Sequence, residues 1–167
     1  MIRDEVAGDA HAVRVVHEEA FGSPVEAGIV DALRTACDDR LSLVFEHDGG
    51  IVGHILFTPV EISGAGGPVR GYGLAPVAVR PPWQRRGVGS ALIAEGTRRL
   101  REAGASYVVV LGHPEYYPRF GFERASSHGI RCQWDAVPDE AFMVRTLDAA
   151  RMHKAAGVAR YRDEFDE

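Results

Sequence analysis

The residues best suited to chemistry lie in one stretch, Gln84-Arg85-Arg86-Gly87-Val88-Gly89-Ser90. An apolar run from Leu74 to Val79 leads through Arg80-Pro81-Pro82-Trp83 into this basic, glycine-bearing loop, and the amphipathic segment after it reads as a helix. A helix N-terminus presents unpaired N–H groups and a partial positive charge, which suits phosphate. Gly87 and Gly89 let an anion approach the main chain, Arg85 and Arg86 add charge, and Ser90 adds a hydroxyl. The stretch predicts a pyrophosphate cradle. A strand–turn–helix with incidental, solvated arginines is the plainer alternative. A Walker A loop is excluded, because it needs Lys before Ser/Thr and the one lysine is Lys154. The dinucleotide fingerprint needs a third Gly where this chain has Leu92.

The elements that must position this loop follow from periodicity. Ile2 to Glu5 predicts a short edge strand, and Asp9 a cap for a helix through Phe21 with Val13, Val16 and Ala20 on one face. Ser23-Pro24 starts a second helix, Val25 to Cys37, with Pro at its first position. Three strands follow as a meander. They are Leu41 to Glu46, Ile51 to Ile62 and Val69 to Val79, joined by turns at His47-Asp48-Gly49-Gly50 and Ser63 to Pro68. A helix from Gly87 to Ala103 ends at Gly104, and the unbroken apolar run Tyr107 to Leu111 reads as a strand buried on both faces. Strand, helix and buried strand make a βαβ unit with parallel strands. A helical turn at Pro114 to Arg119, strands from Phe122 and over Ala141 to Leu147, a connection Arg131 to Asp139 and a terminal helix Asp148 to Ala156 complete the pattern. The fold class expected is α/β. It is a mixed, mostly antiparallel twisted sheet with a central βαβ unit and helices on both faces.

Composition narrows the function classes. A length of 167 residues, with 46% hydrophobic and 26% charged residues, suits one globular domain rather than a disordered or coiled-coil chain. No apolar run is long enough to span a bilayer, and Met1 to Glu5 lacks a signal-peptide pattern, so a cytoplasmic protein with no membrane partner is expected. A net charge of −5 argues against nucleic acid. Cys37 and Cys132 are expected as reduced thiols, and the seven histidines show no metal-ligand spacing, so no metal is expected.

The strand before the loop names the ligand. Gly71, Gly73 and Pro76 sit inside a central strand, where they signal a bulge or broken ladder. An extended ligand could add its own amides beside such a strand, against the backbone of Val77 and Val79. Coenzyme A combines peptide-like amides with a pyrophosphate.

At this point the chain resembles the GNAT superfamily of acyl-CoA-dependent N-acetyltransferases. Gln84-Arg85-Arg86-Gly87-Val88-Gly89 matches its Q/R-x-x-G-x-G/A signature, and Tyr116-Tyr117-Pro118-Arg119-Phe120-Gly121-Phe122 resembles its Y-x-x-F/L-G-F element. Within it the chain looks like the small bacterial-type predicted N-acetyltransferases with the V-L-G-x-P-x-Y-Y-x-R-F-G-F block, here Val110 to Phe122. The resemblance implies an acyl-CoA N-acyltransferase domain over residues 1–147, with segment 148–167 packing on it or on a second subunit. It implies acetyl-CoA as co-substrate. The pantetheine would lie on the backbone of Val77 and Val79, and the pyrophosphate on Gln84, Arg85, Arg86, Gly87, Val88, Gly89 and Ser90.

The resemblance also implies roles. Tyr117 takes the place of the family's general acid, against the plainer role of a packed ring with a hydrogen-bonded hydroxyl. Many relatives carry a Glu or His base on the fourth strand, where this chain offers only Arg70 and Tyr72. His113 is a base candidate, with His54, Glu61, Glu115 or a water chain as alternatives. Cys132 beside His128 suggests a nucleophilic thiol, but a structural cysteine fits better because no third orienting group follows. The activity expected is acetyl transfer from acetyl-CoA to a primary amine on a small molecule or peptide, by a monomer or homodimer. The alternatives are a non-catalytic acyl-CoA-binding or regulatory module on the same fold and a different phosphate-ligand enzyme.

Overall fold

The computed structural model describes residues 1–166. Its elements are β1 (Ile2–Asp4), α1 (Ala10–Phe21), α2 (Val25–Ala36), β2 (Leu41–His47), β3 (Gly50–Ser63), β4 (Val69–Val79), α3 (Val88–Glu102), β5 (Tyr107–Leu111), β6 (Glu123–Arg124), β7 (Ile130–Cys132), β8 (Phe142–Thr146), α4 (Ala149–Met152) and β9 (Gly157–Arg160). Hydrogen-bonded neighbours run β1-β2-β3-β4-β5-β8-β6, with β9 on β3 and β7 on β9. The β4–β5 and β7–β9 pairs are parallel, and β1–β2, β2–β3, β3–β9, β5–β8 and β6–β8 are antiparallel. This is the mixed, mostly antiparallel α/β sheet expected. Two compact units divide the described residues, 1–57, 75–96 and 164–166 in the first and 58–74 and 97–163 in the second. Strands β3 and β4 pass through both.

In the first unit β3 separates two layers, so its residues are buried on both faces there. On one side Leu56 joins Val44 and Ala78 beneath Val13 and Val16 of α1 and Val30 and Leu33 of α2. Gly53 and Phe57, of opposite parity, face α3. A side chain at Gly53 would meet Val88 Cγ1 at 2.7 Å, and one at Gly96 of α3 would meet the Phe57 ring at 2.2 Å. The β2–β3 hairpin closes where the turn chemistry places it, with His47 opposite Gly50.

The side of β3 toward α1 also holds a buried polar chain. His17 of α1 and His54 of β3 are both fully buried, with His17 Nε2 and His54 Nδ1 2.7 Å apart. His54 Nε2 lies 2.8 Å from Ser42 Oγ and 3.3 Å from Glu5 Oε2. Ser42 also hydrogen-bonds Glu5, and Arg34 of α2 pairs with Glu5 at 2.6 Å. The acceptors assign the protons. His54 donates from Nε2 toward Ser42 and Glu5, His17 donates from Nε2 to His54 Nδ1, and His17 Nδ1 remains a bare acceptor with no partner among the described residues. Burial, then the neighbouring His54, pushes His17 down to about 3. Burial likewise lowers His54, against Glu5. For Glu5 burial acts upward, but the hydrogen bonds from His54 and Ser42 prevail and hold it at about 2.

In the second unit β4 is packed against tyrosines. A side chain at Gly71 would lie 2.6 to 2.7 Å from three Tyr107 ring atoms, and one at Gly73 2.6 Å from the Tyr161 ring. These glycines are thus sites of close approach rather than breaks, since β4 stays paired with β5 from Tyr72 to Leu74. Tyr107 cannot swing aside, because it is fully buried and its hydroxyl lies 2.8 Å from Val69 O and 3.1 Å from Val60 O.

Several local expectations shift. Asp9 does not cap α1; its carboxylate accepts from Val6 N and Arg3, both at 2.8 Å. Pro24 sits one place before α2 rather than inside it. The connection expected over Arg131 to Asp139 begins inside β7. The terminal helix shrinks to α4, capped by the Asp148 carboxylate, because the chain must turn back to pair β9 with β3 and β7.

Gly71→Ala is expected to cost about 1–3 kcal/mol, read as a lower urea midpoint with CoA absent. An unchanged midpoint contradicts the close packing on Tyr107. The His17 and Glu5 shifts are both downward, so their stabilisation is complete above the unfolded values and is lost on acidification. Stability should hold above about pH 6.5 and fall progressively toward about pH 2, first across the His17 window from about 6.5 to about 3 and then across the Glu5 window from about 4.5 to about 2. Thermal melts across that range test this, and His17→Gln should flatten the slope. A wild-type Tm that is level from neutrality to about pH 4 contradicts the assignment.

Candidate functional site

The basic loop is positioned by β4 and α3 within the first unit. Arg80 N donates to Val52 O at 2.9 Å, anchoring the end of β4, and its guanidinium pairs with Glu19 at 2.8 Å. Pro81–Trp83 form one 3-10 turn. Gln84 is extended and turns its carboxamide back, Nε2 donating to Val79 O at 2.9 Å. Gln84 therefore caps the strand, and the Val79 carbonyl is already engaged. Val77 and Val79 are half-buried, while Ala78 between them faces the α1–α2 core. Pro76 follows a cis peptide bond.

Arg85 and Gly87 both have positive φ, 62° and 85°. Glycine adopts this freely, but arginine pays about 1–2 kcal/mol for it. Left-handed residues alternating with ordinary ones turn successive N–H groups toward one side, forming an anion-binding concavity. The first helical bond is Ala91 N to Gly87 O at 3.0 Å. The N–H groups of Val88, Gly89 and Ser90 precede it and head the helix dipole. Arg85 and Arg86 are exposed, and Arg86 sits 5.6 Å above the Trp83 ring, itself 4.5 Å from His47. The loop thus has the main-chain geometry of a phosphate site with both charges at its rim.

Tyr117 opens the 3-10 turn Tyr117–Phe120 in the second unit. Its ring packs beside Phe122 at 5.7 Å and Tyr116 at 5.2 Å, and over Gly112, where a side chain would meet it at 2.3 Å. Only 6% of the residue is exposed, yet its hydroxyl has no hydrogen-bond partner among the described residues. Burial, with a smaller effect of Tyr116, pushes its phenol up to about 12. Tyr107 is the contrast, since its hydroxyl is engaged by two carbonyls. Tyr116 packs against Phe120 and under Arg119, 4.8 Å away.

His113 is exposed just beyond β5 and meets Tyr117 through the backbone, its carbonyl accepting from Tyr117 N at 3.4 Å. Glu61, Arg70 and Glu115 are exposed and Tyr72 half-buried. His54 belongs to the buried chain with Glu5 and His17. Cys132 is a free, half-buried thiol raised by burial, and His128 turns to Glu123 at 3.4 Å, so no thiolate–imidazole pair forms. Among the described residues no cluster of His, Cys, Asp or Glu could hold a metal, and no helix is long and apolar enough to cross a membrane.

Three features escape sequence reasoning: the left-handed Arg85, the Gln84–Val79 bond and Arg86 stacked on Trp83. Arginine carries no signal for positive φ, and both side-chain contacts depend on how the 3-10 turn folds back.

A GNAT acetyltransferase domain family matches residues 2–125. The Escherichia coli K12 protein YhbS, described as an uncharacterized N-acetyltransferase, is 34% identical over 167 residues, covering 99% of this chain and 98% of its own. YjhQ of the same organism, described likewise, is 40% identical over 150 residues, covering 86% and 82%. The crystal structure of E. coli YhbS with CoA matches at a TM-score of 0.93 and 34% identity, covering 100% of this chain and 92% of that one. A Brucella melitensis GNAT acetyltransferase with acetyl-CoA matches at 0.79 and 39% identity, covering 99% and 97%. With the family domain over most of the chain and two relatives above 30% identity along nearly their full length, the chain belongs to the GNAT family of acetyltransferases.

Proposed function

We propose that this chain transfers an acetyl group from acetyl-CoA to a primary amine of a small molecule or peptide, by direct attack of the amine on the thioester. The observation that carries this reading is Tyr117. A buried phenol raised to about 12 keeps its proton at neutral pH, and its hydroxyl has no partner among the described residues. The loop supports the donor half. Main-chain N–H groups from Arg85 to Ser90 hold the pyrophosphate, Arg85 and Arg86 add charge, and Gln84 fixes the strand end by binding Val79. Val77 and the Val79 N–H hold the pantetheine amides.

In the reaction the neutral amine forms a C–N bond to the thioester carbonyl, and the tetrahedral intermediate collapses with cleavage of C–S. The departing thiolate accepts a hydrogen bond from the Tyr117 hydroxyl, and the proton that the nitrogen loses to His113 or to water is the one the sulfur finally gains. The net transfer is one proton from nitrogen to sulfur. The thiolate of a thiol at about 8.5 is a weaker base than the Tyr117 phenolate, whose phenol lies at about 12. Tyr117 therefore acts chiefly through a hydrogen bond that strengthens as charge develops on sulfur.

Thiol release from acetyl-CoA over a panel of amines tests the activity. CoA binding without turnover on any amine favours a non-catalytic acyl-CoA module. On a turned-over amine, Tyr117→Phe should lower kcat by about 100-fold with CoA affinity held. An unchanged kcat removes Tyr117 as acid. Arg85→Gly relieves the left-handed arginine, so stability should stay level or rise by up to about 1 kcal/mol, while calorimetry should show weaker CoA binding. Undiminished affinity removes the Arg85 side chain from the phosphate site.

A further inference from the structure

The second unit holds a cavity of about 380 Å³ that shares no residue with the basic loop or with Tyr117. That volume falls in the range of small-molecule sites. Strands β7 and β9 form one side of it. Arg131 is registered opposite Val158, and Arg160 lies two residues beyond Val158, so the two arginines share one face of this parallel pair. Both line the cavity, both are exposed, and neither guanidinium has an ion pair or hydrogen bond among the described residues. Even Glu61, opposite Arg160 on β3, makes no ion pair with it.

Two carboxylates also line the cavity, and they differ. Asp139 is paired with Arg124 at 3.3 Å, whereas Asp135 has no cationic partner among the described residues. The cavity therefore carries one uncompensated positive charge. Its remaining wall is apolar and aromatic, with Trp134, Val137, Phe142 and Val158. The Cys132 thiol in the wall is raised by burial and stays neutral.

We propose that this cavity binds a small organic monoanion, a carboxylate on an apolar or aromatic body. Arg131 and Arg160 take the carboxylate, since a guanidinium fork matches its two oxygens. Trp134, Phe142 and Val158 take the body. Asp135 disfavours a second negative charge. The inference stands on the charge balance of this cavity and is independent of acetyl transfer.

The probe is phenylacetate, with the cation phenethylamine as its counterpart of similar shape. The chain has two tryptophans, Trp83 and Trp134, so the indole N–H region of a proton–nitrogen NMR spectrum reports both. Phenylacetate should shift the Trp134 signal saturably and leave Trp83, which belongs to the first unit, in place, while phenethylamine should shift neither. Arg131→Gln with Arg160→Gln should weaken phenylacetate at least about tenfold, and Asp135→Asn should tighten it. The asparagine variant moves affinity upward, an effect that misfolding cannot mimic. No saturable shift at millimolar phenylacetate, equal response to phenethylamine, or undiminished binding by the folded double variant overturns the proposal.

Discussion

Strand β4 is under two demands that pull against each other. Through Leu74 it must pair with β5 inside a packed layer, and beyond Leu74 it must carry its backbone to Val79 and deliver the basic loop to the head of α3. The first demand is met by removing side chains, because Gly71 and Gly73 leave room for the rings of Tyr107 and Tyr161. The second is met at the strand end, where Arg80 N is held by Val52 O and Val79 O by Gln84. Between these anchors the left-handed Arg85 and Gly87 turn main-chain donors toward one side. That turn stores conformational energy at Arg85. The fold fixes these main-chain donors more firmly than either charged side chain, since both loop arginines stand exposed at the rim.

Buried polar groups divide according to whether they have partners. Tyr107 and Tyr117 are both buried phenols, but the Tyr107 hydroxyl is satisfied by Val60 O and Val69 O, whereas the Tyr117 hydroxyl is not satisfied within the described protein. A satisfied hydroxyl rigidifies the core, and an unsatisfied one is available to a reacting group. The histidines divide similarly. His54 and His17, both kept neutral by burial, extend a chain from the ionised Glu5, which makes them part of the α1–α2 framework. His113 is left at the surface beyond β5.

Much of this was legible in sequence wherever a pattern has a local cause. Apolar runs and turn chemistry located the meander, the βαβ unit and the loop, because strand burial, hairpin turns and helix starts depend on neighbours in the chain. The two family motifs pointed to the same fold and donor. What was misread depended on distant partners. Gly71 and Gly73 looked like breaks because the tyrosines that fill their space come from elsewhere in the chain. Asp9 is a separate case, since its partners, Val6 N and Arg3, are near in sequence and only the local backbone path turns its carboxylate to them instead of to the helix. Strands β7 and β9 are too short to show a period, and their existence rests on pairing with each other and with β3.

The sequence by itself determined the order of elements, the parallel crossover, the basic loop at a helix start and the GNAT resemblance, since each rests on spacing along the chain. Tertiary structure alone decided which polar groups are engaged and which are open. Gln84 turns to a carbonyl rather than outward, His54 is enclosed, the Tyr117 hydroxyl is left without a partner, and Arg131 and Arg160 come to share one face. Those outcomes depend on which carbonyls, carboxylates and rings lie within hydrogen-bonding or packing distance after folding, and separation in sequence does not encode that distance.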